Sequence, residues 1–293
     1  MTIDTVTSKP LGAPQAAGSP PPPTTPADPD AVLAETIARH GDDPDFVTAL
    51  ARGLAVMLAL SDKKRRMSIA QVSHRTGIPR AAARRSLHTL AKLGFVAEDE
   101  ARRFYLRPRV LSFSHGYLSS SPLAVLAQPI IDRLGESLHE ACSLATLDGD
   151  EIVYLARSAS SRIMSPTLNV GRRLPAYCTS IGHVLLAHLP DGELAAYLAR
   201  TRFHPYTDYT PNSPEKLVPL LAAVRESGFA FASQLMEPRL CTLAVPVRDH
   251  AGHYVAGINI ILQGRLVSRA DMAERFYQPL SRAAMELGSL LLP

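Results

Sequence analysis

The stretch SIAQVSHRTGIPRAAARRSLHTL, residues 68 to 90, constrains the fold more than any other part of the chain. Ser68 is a favoured residue type for the start of a helix, and Gly77 readily takes the left-handed conformation that ends one. Pro79 suits the first turn of a following helix. Two helices joined by a corner of three to four residues are therefore predicted, which is the arrangement of a helix-turn-helix.

A helix before this pair and two strands after it complete the predicted domain. The stretch FVTALARGLAVMLAL, residues 46 to 60, predicts the first helix because its apolar residues recur at helical spacing. Those residues are Phe46, Leu50, Leu54, Met57 and Leu58. After Gly94, two β-prone runs at residues 95–96 and 104–106 flank a charged tip, which predicts a two-stranded wing.

The last helix of the pair has the composition of a DNA-reading helix. Its apolar residues should pack on the other two helices, which leaves its basic residues outward, and its alanines let the backbone approach closely. Arginines there can reach guanine edges or phosphates in a major groove, and a basic wing can contact the adjacent backbone. The predicted packed residues are Ala83, Leu87, Leu90 and Ala91. The predicted DNA-contacting residues are Ser68, Arg80, Ala81, Ala82, Arg84, Arg85 and His88, with Arg102 and Arg103 on the wing.

The charge distribution agrees with this interpretation. Residues 44–109 hold 14 Lys and Arg against 5 Asp and Glu, a balance of +9 in a chain of net charge +4. A basic unit on an otherwise acidic chain is typical of nucleic-acid-binding domains. The alternative is a solvated basic surface without a partner, and charge alone does not separate the two. Agreement between charge, turn chemistry and helix order favours DNA binding.

Composition and helix signals predict the remaining domain boundaries. Residues 1–43 form a predicted disordered, Pro-rich tail, since they cannot bury enough apolar surface to offset the entropy of ordering. The winged helix-turn-helix then covers residues 44–109, and a linker helix interrupted near Ser121-Pro122 covers 110–128. A second domain, 129–293, should open with a helix around Pro129.

The second domain alternates strand-like and helical segments. CSLATLDGDEIVYLARSAS and LCTLAVPVRDHAGHYVAGINIIL each contain two β-prone runs around a polar turn, and helical blocks lie between and after them. This order predicts an α/β domain with a mostly antiparallel sheet. The whole chain is therefore predicted to be an α+β protein of two domains.

Several other function classes are not supported by the sequence. Cys142, Cys178 and Cys241 are too few and too scattered for a disulfide framework, and no His/Cys cluster has zinc-like spacing, so we expect a reducing compartment and no metal. No apolar run approaches the ~20 residues of a membrane span, and we expect the protein to be cytoplasmic. Cys178 lies near His183, but a helical residue five positions on does not orient an imidazole toward the thiol. We predict no catalytic residue and no cofactor.

Four motifs resemble the IclR family of transcriptional regulators. They are ALARGLAVM, GIPRAAARRSLHTLAKLGFV, GRRLPAYCTSIGHVLLAHLP and CTLAVPVRDHAGHYVAGINI, and the resemblance covers about residues 45 to 292. The stretch RIMSPTLNVGRRLPAYCTSIGHVLLA is closest to the PcaR, PcaU and PobR type of regulators of aromatic-acid catabolism. The resemblance implies a winged helix-turn-helix, a dimerising linker helix and a GAF-like effector domain. It also implies that the protein binds operator DNA and changes transcription when a small organic acid binds the C-terminal domain.

The resemblance further implies a set of effector-contacting positions. They are Leu174, Ser180, Ile181, Ala232, Thr242, Asn259 and Ile261. The sequence departs from the family pattern nearby: relatives often have an acidic residue at the position of Leu235, a glycine at Arg239 and an arginine at Cys241. Ile261 itself stands where a serine is frequent.

An independent physical argument also favours an acidic ligand. Thr179 or Ser180 should cap the helix IGHVLLAHL, whose free N–H groups and dipole would attract a carboxylate. Arg162 is a candidate bidentate partner for the same group. The alternative is that Ser180 only caps the helix and Arg162 only lies on the surface. The resemblance favours the ligand role for Ser180 but not for Arg162.

Two hypotheses from different classes result. The first is a regulator that binds double-stranded operator DNA and a carboxylic acid of the 4-hydroxybenzoate, protocatechuate or β-ketoadipate class. The resemblance implies a homodimer or homotetramer, and RNA polymerase is a further candidate partner. The alternative is a small-molecule-processing enzyme with a GAF-like domain and an incidental basic segment. Affinity for DNA that falls steeply with salt would distinguish the regulator from the enzyme.

Overall fold

The N-terminal domain is a three-helix unit with a wing, preceded by one further helix. The computed structural model describes residues 29–61, 66–158 and 169–291. The elements of this domain are α1 (Pro29–Arg39), α2 (Thr48–Leu60), α3 (Ile69–Thr76), α4 (Arg80–Lys92), β1 (Val96–Glu98) and β2 (Phe104–Leu106). The two strands pair antiparallel, with Ala97 opposite Tyr105. The predicted winged helix-turn-helix is confirmed.

Local signals fix the corner between α3 and α4. The Ser68 hydroxyl accepts a hydrogen bond from the Gln71 backbone N–H (3.3 Å), while the Gln71 side chain accepts one from the Ser68 N–H (2.9 Å). This reciprocal cap satisfies two N–H groups that have no partner within the helix. Gly77 ends α3 at φ 68°, a left-handed conformation that costs glycine little. Pro79 is the cap residue of α4, one position earlier than predicted.

Helix α1 lies in the segment that we predicted to be disordered. The prediction of a tail over residues 1–43 is wrong for residues 29–39, because Leu33 and Ile37 pack against the N-terminal core and offset the entropy of ordering. Glu35 on the same helix forms an ion pair with Arg202 of the C-terminal domain, with 3.6 Å between charged atoms. Residues 1–28 lie outside the described residues.

Several of the large apolar residues that predicted α2 do not lie on its buried face. Its buried residues are Ala55, Val56, Ala59 and Leu60. In contrast, Leu50, Leu54 and Leu58 are 62%, 51% and 51% exposed. Residues four apart lie on one side of a helix, so these three leucines form an exposed apolar stripe.

Two helices lead into the C-terminal domain. They are α5 (Leu111–Ser120) and α6 (Pro122–Leu138), and the predicted break at Ser121-Pro122 is confirmed. The predicted domain boundary after residue 128 falls inside α6, which continues through Pro129. Burial of one side of α6, including Ile130 and Ile131, accounts for this continuity because it offsets the cost of about 3 kcal/mol for an internal proline. In contrast, α5 has no buried residue.

The C-terminal domain is built on a six-stranded sheet. Its strands are β3 (Ala141–Asp148), β4 (Glu151–Arg157), β5 (Arg173–Pro175), β6 (Ala230–Ser233), β7 (Leu240–Arg248) and β8 (Tyr254–Gln263). Their order across the sheet is β5-β4-β3-β8-β7-β6, and every neighbouring pair is antiparallel. The two predicted hairpins, β3/β4 and β7/β8, are confirmed, whereas the short edge strands β5 and β6 were not predicted.

Helices cover both faces of this sheet. One face packs against α6 and a C-terminal helical segment made of α10 (Arg269–Met272), a π-helical turn (Ala273–Tyr277) and α11 (Gln278–Leu290). The other face packs against α7 (Ser180–Leu186), α8 (Asp191–Arg200) and α9 (Pro214–Ser227). Within the ranges that the structure describes, every helix is too short or too polar to cross a membrane.

Gly182 permits the close approach of α7 to the turn before it. A Cβ atom at this position would overlap the carbonyl oxygen of Ala176. We therefore expect Gly182→Ala to lower the free energy of unfolding by about 3 kcal/mol, since the backbone of this turn must move. Urea denaturation of the purified protein measures the effect.

Gly192→Ala is the matched control for this prediction. Gly192 also lies near the start of a helix, but a Cβ atom there would have no neighbour within 4 Å. We expect it to change the free energy of unfolding by no more than about 0.5 kcal/mol. Equal effects of the two substitutions would contradict the tight contact at Gly182.

Candidate functional site

Helix α4 presents a basic, solvent-facing side. Arg80, Arg84 and Arg85 are exposed, as is His88, and none of their side chains has an ion-pair partner among the described residues. The opposite side of the helix buries Ala83, Leu87 and Leu90, which confirms the predicted packing. Unpaired guanidinium groups on an exposed helix are free to contact phosphates or guanine edges.

The remaining predicted DNA-contacting residues of this domain have different surroundings. Ser68 is engaged as the cap of α3, although its hydroxyl can still donate a hydrogen bond. Ala81 is exposed, whereas Ala82 is half-buried against the N-terminal core. The DNA contacts of all these residues stay predictions.

The wing carries its arginines around one carboxylate. Asp99 accepts hydrogen bonds from the Arg103 backbone N–H (2.8 Å) and from the Arg103 and Arg66 guanidinium groups (both 3.2 Å). The Arg103 N–H, and then the Arg66 side chain, lower the pKa of Asp99 against the opposing effect of burial. Arg102 lies at the tip of the hairpin with φ 54° and is exposed.

Arg66 is a basic residue of this surface that our list of predicted contacts missed. Its guanidinium carbon lies 4.5 Å from the centre of the Tyr105 ring, which adds a cation–π contact to its ion pair with Asp99. Its position in the basic run before α3 was the feature of the sequence that could have identified it. The strand register that brings Arg66 to the wing could not be predicted from the sequence.

The C-terminal domain contains a second candidate site, a small cavity on the sheet face covered by α7. Its volume is about 120 Å³, which is of the order that holds a single aromatic ring. Strands β4, β5, β6, β7 and β8 line it together with the start of α7 and the loop before β7. The lining residues are Tyr154, Arg172, Leu174, Cys178, Thr179, Ser180, Ala232, Leu235, Met236, Glu237, Leu240, Thr242, Asn259 and Ile261.

Six of the predicted effector-contacting residues meet at this cavity. They are Leu174, Ser180, Ala232, Thr242, Asn259 and Ile261. Ile181 does not line it, because the next position on a helix turns by about 100°. That side chain instead approaches Gly257 of β8, where a Cβ atom would lie 2.9 Å from the Ile181 Cγ2 atom. Arg162 lies outside the described residues.

Several polar atoms at the cavity are buried and have no hydrogen-bond partner among the residues that the structure describes. They are the Ser180 Oγ, the Asn259 Oδ1 and the Arg172 Nε atoms. Ser180 and Asn259 are 2% and 3% exposed, so water does not readily replace their missing hydrogen-bond partners. A buried polar group without a partner costs about 1–3 kcal/mol, which a bound polar ligand would recover. These atoms therefore favour a ligand with both donors and acceptors.

The charge at the cavity is set by few groups. Arg172 is the only basic residue among the described lining residues, and Glu237 is exposed. Burial raises the pKa of Tyr154 to about 12, so its phenol stays neutral near pH 7. The Arg172 side chain is partly buried and its Nε atom is fully enclosed, so this guanidinium favours an anion, and a carboxylate is the anion whose geometry it matches.

Sequence reasoning missed five of the lining residues. They are Tyr154, Arg172, Met236, Glu237 and Leu240. Strand alternation in β4 could have identified Tyr154, since it shares a sheet face with Ile152. Nothing local marked Arg172, because its position depends on the pairing of β5 with β4.

The geometry around Cys178 does not resemble a nucleophilic centre. Burial raises the pKa of its thiol, and the Sγ atom donates to the Pro175 carbonyl oxygen at 3.4 Å. The His183 Nε2 atom lies 2.7 Å from the Tyr177 carbonyl oxygen, and burial lowers the pKa of this imidazole. His183 therefore donates to the backbone and does not act on the thiol. The described residues also contain no group of three or more His, Cys, Asp or Glu side chains placed to hold a metal.

Family comparisons match most of the chain. Residues 115–288 match the C-terminal domain of the bacterial transcriptional regulator IclR, and residues 49–100 match the IclR helix-turn-helix domain. The Pca regulon regulatory protein of Pseudomonas putida is 47% identical over 255 residues, which cover 87% of each chain.

Solved structures agree with both halves of the fold. A transcriptional regulator from Rhodococcus sp. RHA1 is 40% identical, with a TM-score of 0.72 over 84% of this chain and 98% of that chain. A double mutant of the inducer-binding domain of the PobR transcription factor from Acinetobacter, in complex with 3-hydroxybenzoic acid, is 28% identical. It covers 57% of this chain and 97% of that chain with a TM-score of 0.53.

Proposed function

The chain belongs to the IclR family of bacterial transcriptional regulators, and we propose that it binds operator DNA under the control of a small aromatic acid. The observation that carries the proposal is a cavity where the buried Arg172 Nε atom has no partner in the described part of the chain, in a domain attached to a basic helix-turn-helix. Binding of the acid would change the affinity for DNA, and by linkage DNA would change the affinity for the acid to the same degree. A DNA-binding role places the protein in the cytoplasm.

Double-stranded DNA is the proposed partner of α4. The exposed arginines at positions 80, 84 and 85 lie along one side of the helix, while its other side is fixed to the domain core. A helix held in this way can enter a major groove, and the arginines of the wing would then contact the neighbouring phosphates.

We expect the double substitution Arg84→Gln with Arg85→Gln to weaken operator binding by at least about tenfold, because each lost base contact costs about 1–3 kcal/mol. The slope of log affinity against log salt should also become shallower, by about 0.9 per lost phosphate contact. Fluorescence anisotropy on DNA from upstream of the protein's own gene measures both.

The matched control removes two charges elsewhere. Arg133→Gln with Arg282→Gln makes the same change in net charge at two exposed residues of the C-terminal domain. It should leave operator affinity within about twofold. Equal loss in both double variants would mean that net charge, not the reading helix, sets the affinity.

The proposed effector is a hydroxybenzoate-like acid whose carboxylate pairs with Arg172. The relative with 3-hydroxybenzoic acid bound supports an aromatic acid, and Ser180 and Asn259 offer unpaired atoms for ring substituents. The panel to test is 3-hydroxybenzoate, 4-hydroxybenzoate, protocatechuate and β-ketoadipate.

We expect Arg172→Gln to weaken binding of the preferred acid by about 10- to 100-fold, because hydrogen bonds to charged groups contribute about 1.5–3 kcal/mol. The corresponding neutral amide should bind the variant and the original protein alike. Isothermal titration calorimetry with each acid and its amide measures this. Arg200→Gln, an exposed residue paired with Asp150, is the control that should bind as the original protein does. An equal loss for acid and amide would contradict the carboxylate pairing.

We propose that the protein functions as a homodimer or a higher assembly of dimers. The leucine stripe of α2 and the exposed Phe113 and Tyr117 of α5 leave large apolar side chains in water. Monomeric proteins rarely expose large apolar patches, and helix-turn-helix proteins commonly bind two half-sites as dimers.

We expect Leu50→Glu with Leu54→Glu to reduce the mass in solution to that of one 31.7 kDa chain, because two charges per copy would be buried in the interface. Sedimentation equilibrium measures the mass. Leu266→Glu places a charge at another exposed leucine, in the turn after β8, and should leave the assembly intact. An unchanged mass for the double variant would exclude the α2 stripe from the interface.

A further inference from the structure

The connection between α8 and α9, residues 201–213, contacts Tyr177 beside the cavity and the loop that lines another part of it, and we call this connection the strap. At one wall, the His204 N–H donates to the Tyr177 hydroxyl (2.8 Å), which donates back to the His204 carbonyl oxygen (2.9 Å). The Phe203 ring packs edge-on against Tyr177 with 5.0 Å between centres. Tyr177 directly precedes Cys178, which lines the cavity, so the strap holds this wall through one tyrosine.

At the opposite wall, the strap holds the segment 234–240, which we call the pocket loop. The Thr207 hydroxyl donates to the Gln234 carbonyl oxygen, and the Thr210 hydroxyl donates to that of Leu235, both at 2.6 Å. The residues at this end of the loop, Leu235 and the two that follow it, line the cavity. The two threonines therefore fix the backbone where the lining begins.

Thr210 is the central residue of this contact. It is 4% exposed, and its hydroxyl oxygen accepts the N–H groups of Tyr206 (3.1 Å) and Thr207 (2.9 Å) while donating to Leu235. A hydroxyl has one donor and two acceptor positions, so this group is fully used. One side chain thus both folds the strap and attaches it to the pocket loop.

The pocket loop needs such an external hold because its backbone is strained. Gln234 and Arg239 both have φ 59°, a left-handed conformation that side-chain-bearing residues rarely adopt. Such residues persist only where their surroundings over-determine the conformation. Inside the loop, the Gln234 N–H donates to the Leu240 carbonyl oxygen (2.7 Å) and the Arg239 N–H donates to the Gln234 side chain (3.2 Å). From outside the loop, the Gly264 N–H donates to the Arg239 carbonyl oxygen (2.9 Å) at one end, and the two threonines hold the other end.

We propose that Thr210 is a positioning residue of the effector cavity. It holds the pocket loop in its strained conformation and thereby sets the shape of the wall that discriminates between ligands. Its role in ligand binding rests on the proposed function of the cavity, whereas its hold on the loop does not.

The first experiment needs no ligand. Hydrogen exchange of the full-length protein should show the hydrogen-bonded amides of Gln234 and Arg239 exchanging about tenfold faster in Thr210→Val, because a hydrogen bond at the upper end of the usual range contributes about 1.4 kcal/mol, which is a factor of ten. Thr210→Ser keeps the hydroxyl and should restore slow exchange. Thr201→Val is the matched control, since Thr201 is the first residue of the strap, but its hydroxyl donates back to the Tyr197 carbonyl oxygen of α8 and not to the pocket loop. Unchanged exchange in Thr210→Val would overturn the proposal.

The second experiment measures affinity by calorimetry with 3-hydroxybenzoate and 4-hydroxybenzoate. Thr210→Val should weaken binding about tenfold, while Thr210→Ser and Thr201→Val stay within about twofold of the original protein. Operator affinity without the acid should be unchanged. A loosened loop with unchanged acid affinity would overturn the positioning role. If the original protein bound neither acid, the proposed effector class would fail, and hydrogen exchange would still decide whether Thr210 holds the loop.

Discussion

The pairing of β3 with β8 is the contact on which the C-terminal domain depends. It joins two hairpins that are far apart in the sequence, and it places Ser143 directly opposite Asn259. Because side chains alternate across a strand, this register sends one set of residues to α6 and α11 and the other to α7. The cavity lies over this seam, with Tyr154 on one side of it and Thr242 on the other.

One face of the sheet stabilises the domain, and the other carries the proposed binding cavity. The face under α6 and α11 is continuously apolar, with fully buried residues such as Ile258, Ile260 and Leu243. On the face with the cavity, Asn259 of the sheet and Ser180 of the covering helix α7 have buried atoms without a partner among the described residues, and each costs about 1–3 kcal/mol. Burial of a large apolar side chain contributes a similar amount, about 1.5–3 kcal/mol. The apolar face therefore stabilises a domain whose other face leaves buried polar atoms without partners among the described residues.

The sequence predicted those parts whose signals are local. The Ser68 cap, the Gly77 turn and the spacing of Leu87 and Leu90 were sufficient for α3 and α4, because each acts within a few residues. The large apolar residues of α2 predicted a helix but not its buried face, since helical spacing alone does not show which apolar side packs on the core, and Leu50, Leu54 and Leu58 are exposed. The positions of residues that depend on pairing between segments far apart in the sequence could not be predicted. Arg172 reaches the cavity through strand pairing, and α1 is ordered by packing on a domain that follows it.

The pocket loop is a short connection at the end of the sheet. The loop residues that line the cavity are therefore different from the strand residues that hold the fold together. Leu235, Met236 and Glu237 contribute to the cavity without belonging to any strand. Substitutions there can reshape one wall while the sheet register and the DNA-reading helix remain intact. Regulators of this architecture can thus acquire new chemical signals through a few changes in one loop, while the strained backbone at its ends limits which residues are accepted.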